Sequence, residues 1–172
     1  MYPRAKRFAL IALLSVLLVA QSGCISENSK SETVCPFSPL TFESKVEDMV
    51  FTEGESYETY DSIYKGTTYT YPKDYLGYPG DVKYMFDGEG NLCNISWAYT
   101  KGDADSVKEV YEAVLKDTES IRGEGIRDDG IGNYCTMWKG DAGSVVLSGV
   151  LTSDVTVMQI AYMSPDVSKQ TK

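Results

Sequence analysis

Residues 82–99 read VKYMFDGEGNLCNISWAY, and this stretch decides the fold more than any other. Two runs rich in aromatic and β-branched residues flank positions 87–91, where Asp, Gly and Asn are typical of a tight turn. The pattern therefore predicts a β-hairpin. In its second strand an apolar set alternates with a small or polar set. We expect the core to receive Cys93, Ile95, Trp97 and Tyr99.

Outward from this hairpin, aromatic and β-branched runs between turn residues predict four more strands, at 68–71, 134–138, 144–151 and 155–163. Two helices are also predicted. Ser44 and Glu47 have capping-box spacing before a short helix that ends at Gly54. The second helix is capped by Asp103 or Asp105. Its apolar face is expected to contain Val107, Val110, Tyr111, Val114, Leu115 and Ile121.

A helix followed by strands occurs twice, in residues 41–100 and 101–164. We expect a single α+β domain over 41–164, with the helices packed on one face of an antiparallel sheet. The repeated order predicts two tandem helix-plus-β-meander repeats. Residues 165–172 are expected to form a polar tail.

This order and size resemble the tandem repeats of β-lactamase-inhibitor-like proteins and related small bacterial lipoproteins. Residues 84–92 and 44–54 carry the resemblance, which spans most of the chain after residue 23. It implies a fold, and neither inhibitory activity nor any contact residue is carried over.

The N-terminal 23 residues have the layout of a secretory signal, with three basic residues, the uncharged run 8–20 and a small pair before Cys24. The ending Gln21-Ser22-Gly23-Cys24 resembles the bacterial lipobox, in which the cysteine receives a diacylglycerol thioether. Gln21 departs from the aliphatic residue usual there. The resemblance implies export and lipid attachment at Cys24, with membrane anchoring on the extracytoplasmic side.

The alternative is ordinary cleavage after Ala20 or Ser22, which would release a freely secreted protein. In either case residues 24–40 are expected to form a polar tether, which carries the lipid if Cys24 is modified.

The net charge restricts the partners. Residues 1–23 hold three of the 16 basic residues and none of the 25 acidic ones, which leaves a net charge of −12 on the rest of the chain. Nucleic acid is excluded as a partner, because its binding depends on basic groups. Membrane attachment would rest on acyl chains, since an acidic surface is repelled by anionic lipids.

Export permits disulfides, and the strand-like surroundings of Cys93 and Cys135 make these two the preferred pair. Cys35 would then be free or paired between chains. The alternative is that all three are small buried apolar residues.

Catalytic motifs are missing from the sequence. It contains no histidine, GxSxG motif or P-loop, so the usual Ser-His-Asp and Cys-His mechanisms are excluded and a zinc site is disfavoured. Glycosidase chemistry needs two positioned carboxylates, which 25 acidic residues could supply, although nearly all of them are interpreted as solvated surface acids. The acidic clusters at 87–91 and 103–105 are interpreted as a turn and a helix start rather than calcium sites. We expect no catalytic residue, metal or cofactor.

Tyrosines are concentrated, with eight of the 13 between residues 57 and 84. Tyrosine suits recognition surfaces, and Tyr69, Tyr71 and Tyr78 are the candidate interaction residues. The alternative is that these are half-buried strand residues. The sequence thus favours a membrane-anchored, non-catalytic binding module for a protein or envelope component. The alternatives are a carboxylate-dependent envelope hydrolase and a structural envelope lipoprotein.

Overall fold

The computed structural model describes residues 34–99, 101–130, 133–152 and 156–170. The predicted signal segment 1–23, Cys24 and the tether up to residue 33 lie outside these ranges. Among the described helices, none has the length and apolarity needed to cross a membrane.

Eight strands and three helices make up the described fold. The strands are β1 (Glu58–Asp61), β2 (Lys65–Pro72), β3 (Asp81–Asp87), β4 (Leu92–Tyr99), β5 (Ile126–Arg127), β6 (Asn133–Gly140), β7 (Gly143–Leu151) and β8 (Thr156–Met163). The helices are α1 (Val46–Glu53), α2 (Ala104–Arg122) and α3 (Pro165–Gln170). The predicted mixture of helices with an antiparallel sheet is confirmed.

All eight strands belong to one antiparallel sheet with the order β1-β2-β3-β4-β8-β7-β6-β5. Strands β1 to β4 form one meander and β5 to β8 form another. The last strands of the two meanders pair at the centre of the sheet, from Asn94 opposite Met163 to Tyr99 opposite Met158. All eight residues of β4, which pairs with β3 and β8, are buried.

One side of the sheet, the core face, carries the large buried side chains. Across the central strands, Val82 lies opposite Trp97, which in turn lies opposite Ile160. The row continues to Leu147 on β7. All four side chains are fully buried, so this row forms the middle of the hydrophobic core.

The turn between β3 and β4 is closed by the Asp87 carboxylate. It accepts hydrogen bonds from the backbone amides of Glu89 (2.9 Å) and Asn91 (2.8 Å) and from the Asn91 side chain. The bond from the Asn91 amide is the main reason that the pKa of Asp87 is lowered. This geometry confirms the predicted hairpin and accounts for the acidic residues at 87–91 as part of a turn.

Helix α2 has the predicted start, because the Asp103 carboxylate accepts the Ser106 amide at 2.9 Å. The predicted apolar positions are buried up to Leu115, and the buried stripe ends at Thr118. Ile121 is 63 % exposed, so its assignment to the core was wrong.

Helix α1 begins one residue later than its predicted capping box implies. The Lys45 amide donates to the Asp48 carboxylate at 2.8 Å, whereas the Ser44 hydroxyl accepts from Thr41 at 3.1 Å. Asp48 rather than Glu47 therefore closes the first turn.

The predicted tether and tail are both too long. Cys35, Phe37 and Leu40 are buried, and the Phe37 ring packs edge-on against Tyr75 at a centroid distance of 5.2 Å. Residues 35–40 therefore belong to the folded domain. At the other end, residues 165–170 form α3 instead of a polar tail.

A charged network joins the end of α1 to the sheet. The Glu53 carboxylate accepts a hydrogen bond from the Tyr84 hydroxyl at 2.6 Å and pairs with the Lys73 ammonium. The Glu53 side chain is only 10 % exposed. The network therefore holds a nearly buried negative charge between a phenol and a cation.

We expect Glu53→Gln to lower the free energy of unfolding by about 1–3 kcal/mol, because Lys73 and Tyr84 lose a charged acceptor. Urea unfolding monitored by circular dichroism measures the change. The matched control is Glu47→Gln on the exposed side of the same helix, which should cost less than about 0.5 kcal/mol. Equal effects of the two substitutions would contradict this account of the network.

Candidate binding surface

The other side of the sheet, here called the second face, carries a different set of side chains. One row crosses it from Thr68 through Met85 to Asn94, and the adjacent row runs from Thr70 through Lys83 to Ser96. These positions alternate with the core-face residues of the same strands. The second face is therefore lined by small polar side chains where the core face is lined by aromatic and aliphatic ones.

Four side-chain oxygens in these two rows are buried without a hydrogen-bond partner in the described parts of the chain: Thr68 Oγ1, Thr70 Oγ1, Asn94 Oδ1 and Ser96 Oγ. Thr68, Asn94 and Ser96 are 1 %, 5 % and 0 % exposed. A buried polar group that loses its water and finds no partner costs about 1–3 kcal/mol. Because folded proteins keep few such groups, four of them together need an explanation. We call these four residues the polar floor.

Aromatic residues lie beside the polar floor. The Lys83 ammonium lies 5.9 Å from the centre of the Tyr60 ring, within the range of a cation–π contact. Burial raises the pKa of the nearby Tyr64 hydroxyl, and its interaction with the Asn94 side chain offsets part of that rise. Tyr60 remains 48 % exposed. The floor is thus bordered by rings that can contact a ligand.

The second face is electrically balanced. Its paired rows include two acids, Glu58 and Asp81, and two lysines, Lys83 and Lys139, and at the end of β3 Asp87 lies opposite Lys65. The whole chain has a net charge of −9. This face therefore repels an acidic partner less strongly than the average surface of the protein does.

The polar floor makes a direct prediction about stability. Thr68→Val removes a buried hydroxyl that has no partner, so it should raise the free energy of unfolding by about 1 kcal/mol. Thr136 is the matched control, because it is an equally buried strand threonine whose hydroxyl bonds Tyr111 at 2.8 Å. Thr136→Val should lower the free energy by about 1–3 kcal/mol. Urea unfolding of both variants tests this, and a loss of stability in Thr68→Val would contradict it.

The predicted interaction tyrosines do not form an exposed surface. Tyr71 is 3 % exposed and donates its hydroxyl proton to the Gly54 carbonyl at 3.0 Å, so its assignment to a binding surface was wrong. Tyr69 is partly buried against the core, and the Tyr78 hydroxyl bonds the Glu109 carboxylate at 3.0 Å. The interpretation as half-buried strand residues accounts for these side chains. Tyr57 and Tyr60 are the more exposed members of the group.

The predicted disulfide is not formed, since Cys93 and Cys135 are both free. Cys93 lies on β4 and Cys135 on β6, with β8 and β7 between them. Three strand spacings separate them by roughly 14 Å, about twice the Cα distance that a disulfide tolerates. The strand-like surroundings of each cysteine gave no information about the order of the strands.

The described thiols are poor nucleophiles at neutral pH. Burial raises the pKa of Cys35 to about 12 and that of Cys93 to about 11, where the Asp87 charge adds to the effect. Since the thiolate is the reactive form, both cysteines stay protonated and unreactive. Within the described ranges, no three acidic or thiol side chains converge as a metal site would require.

The comparisons with known proteins give no assignment: no protein-family model, no curated protein and no solved structure matches this chain.

The polar floor was missed in the sequence, although a signal for half of it was present. Asn94 and Ser96 alternate with the core residues of 92–99, and such a set normally faces solvent. Their burial is a property of the folded sheet, in which β4 lies between β3 and β8, and no local pattern in the sequence shows it. Thr68 and Thr70 carry no comparable signal.

Proposed function

We propose that the protein is an exported lipoprotein, anchored through Cys24 on the extracytoplasmic side of a membrane, that acts as a non-catalytic binding module. The second face would receive a segment of a partner protein. The observation that carries this proposal is the polar floor, with four unpaired oxygens in two adjacent rows of one sheet face; because these oxygens are buried, the side chains beside them must move aside before a partner can reach them. A partner that supplied hydrogen-bonding groups would remove the cost of leaving them unpaired.

The chemistry of the floor favours a polypeptide segment as the occupant. Hydroxyls both donate and accept hydrogen bonds, so they suit backbone amide and carbonyl groups. Met85 and Met163 flank Asn94 in the same row, and methionine side chains adapt to irregular apolar partners. The balanced charge of this face removes the need for a strongly basic partner.

We also propose that the domain arose from two helix-plus-meander repeats, as in the β-lactamase-inhibitor-like arrangement. Gly54 follows α1 with φ 95° and Gly123 follows α2 with φ 78°. Tyr71 on β2 donates to the Gly54 carbonyl at 3.0 Å, and Trp138 on β6 donates to the Gly123 carbonyl at 2.9 Å. Since β2 and β6 are the second strands of their meanders, the same contact recurs at equivalent positions.

The register across the sheet supports the same equivalence. Val82 of β3 lies opposite Tyr71 on one side and an aromatic residue of β4 on the other. Val145 of β7 lies opposite Trp138 on one side and an aromatic residue of β8 on the other. The third strand of each proposed repeat thus has a valine between two aromatic residues.

For the helices, we propose that α1 and α2 share the core face. Tyr84 on that face contacts Glu53 of α1, and Thr136 on that face contacts Tyr111 of α2. Helix α3 differs, because its Ser168 hydroxyl lies 2.7 Å from the hydroxyl of Ser144 on the second face. The proposal therefore concerns α1 and α2 alone.

Photocrosslinking in cells that export the protein tests the binding function. A photoreactive residue at position 83, on the second face, should give one discrete crosslinked product. The matched control is position 116, an exposed lysine on α2, which should give none. Thr70→Arg should abolish the product by placing a long side chain over the floor.

The purified partner then gives a quantitative test. Lys83→Glu should weaken its binding by about tenfold or more, whereas Lys116→Glu should leave the affinity unchanged. Equal crosslinking at positions 83 and 116, or a product that survives Thr70→Arg in a folded variant, would overturn the proposal.

A further inference from the structure

A cavity of about 420 Å³ opens on the second face, against α3 and the strands of the second meander. Its volume lies in the range of small-ligand pockets, about 300–1,000 Å³. Met137, Val146 and Met163 supply its apolar lining. Met137 lies directly opposite Val146 in the register, so these two side chains form a continuous apolar strip. The polar floor lies on the first meander, and Met163, which lies opposite Asn94 of that floor, also lines the cavity.

Polar groups surround this apolar lining. The hydroxyls of Ser144 and Ser168 lie 2.7 Å apart and both line the cavity. Lys139 and Lys169 are also in the lining, with Asp141 as the acid among the lining residues. The Lys169 ammonium lies 3.9 Å from Asp166, and both side chains are largely exposed. Such a pair contributes little, so the ammonium remains available to a ligand.

The charge distribution selects the type of ligand. A chain with a net charge of −9 places two ammonium groups and two hydroxyls around an apolar cavity. The two ammonium groups are the donors for a ligand carboxylate, since the Ser168 hydroxyl donates to the Ser164 carbonyl at 2.8 Å and bonds the Ser144 hydroxyl. Methionine side chains adapt to a flexible alkyl chain. A cationic ligand would be repelled by both lysines, and a purely apolar ligand would form no ion pair with them.

From this arrangement we infer that the cavity binds an amphipathic carboxylate, with its alkyl chain on Met137, Val146 and Met163 and its carboxylate between Lys139 and Lys169. The inference does not rest on the proposed protein partner, because Lys139, Lys169 and the rest of the polar lining lie outside the polar floor, although Met163 borders both sites.

Decanoate is a suitable probe, and calorimetric titration of the purified full-length protein measures its binding. Decanoate should bind, decanol should bind more weakly, and decyltrimethylammonium should show no binding. The double variant Lys139→Gln/Lys169→Gln should weaken decanoate binding by about tenfold and leave decanol unchanged. The control Lys108→Gln/Lys116→Gln removes two exposed lysines of α2 and should change neither.

Methyl resonances of the methionines locate the ligand without any substitution in the apolar lining. Decanoate should shift the signals of Met137 and Met163, whereas Met49 and Met158, which are fully buried, should keep theirs. Absence of decanoate binding, equal binding of the cationic analogue, or shifts confined to other methionines would each overturn the inference.

Discussion

Trp97→Ala should lower the free energy of unfolding by about 3–5 kcal/mol, the range for truncating a large buried aromatic side chain. Trp97 is fully buried on β4 and packs edge-on against Tyr75 at a centroid distance of 5.4 Å. Its indole N–H donates to the Lys73 carbonyl at 2.7 Å. The substitution therefore creates a cavity in the middle of the core and leaves that carbonyl without a partner.

Urea unfolding measures this loss, and Trp97→Phe separates its two parts. The phenylalanine variant keeps most of the packing and loses the hydrogen bond, so it should cost about 1–3 kcal/mol. Ile126→Ala is the control, because Ile126 is an exposed strand residue and should cost less than about 0.5 kcal/mol. A loss below 2 kcal/mol for Trp97→Ala would contradict the central role of this row of the core.

The free energy of unfolding should fall steeply as the pH rises above about 9. Several thiol and phenol groups of the folded chain keep their protons at pH values where the unfolded chain releases them. Burial raises the pKa of Cys35 from 9.0 to about 12 and that of Tyr71 from 10.0 to about 12. It also raises the pKa of Tyr75, Tyr84 and Tyr162. Each of these groups loses its proton more easily in the unfolded chain than in the folded chain, so deprotonation favours unfolding.

The sign follows from the proton counts of the two states. Below pH 9 the folded and unfolded chains hold the same protons on these groups, so their contribution is fully present. Above the unfolded pKa values of 9.0 and 10.0 the unfolded chain releases protons that the folded chain retains. Each group then lowers the stability by up to about 1.4 kcal/mol per pH unit until its folded pKa is reached.

Urea unfolding at intervals from pH 7 to 11 tests the prediction. Cys35→Ala removes the thiol that begins to titrate first, so the variant should lose less stability than the original chain between pH 9 and 10. Cys135→Ala is the comparison, because Cys135 is only partly buried and its removal should flatten the curve less. A stability that stays constant up to pH 11 would contradict the burial of these groups.

The sequence predicted those parts of the fold that depend on local pattern. Alternation identified β4, and the helical spacing from Val107 to Leu115 identified α2. Strand β1 was missed because its four residues are all exposed and show no alternation. Strand order cannot be derived from local pattern, which explains the incorrect Cys93–Cys135 bridge.

The candidate site was less predictable for the same reason. Ser96 has the pattern of a solvent-facing strand residue but is fully buried in the folded sheet, where β4 lies between β3 and β8. The cavity lining likewise combines Met137 of β6 with Met163 of β8 and residues of α3, which only the folded chain brings together. Tyr71 is the opposite case: the sequence suggested a surface residue, and the side chain is buried in the core.

The pairing of β4 with β8 also sets the order in which the chain can fold. Residues such as Trp97 and Ile160 that meet at this junction are far apart in sequence, and contacts between distant residues slow folding. The first meander is synthesised before the second one. Its edge strand β4 stays unpaired until β8, which ends at Met163, has been synthesised. A chain truncated before β8 would expose the unpaired edges of β4 and β7, which are templates for aggregation. The last strand to be synthesised is therefore the one that closes the sheet.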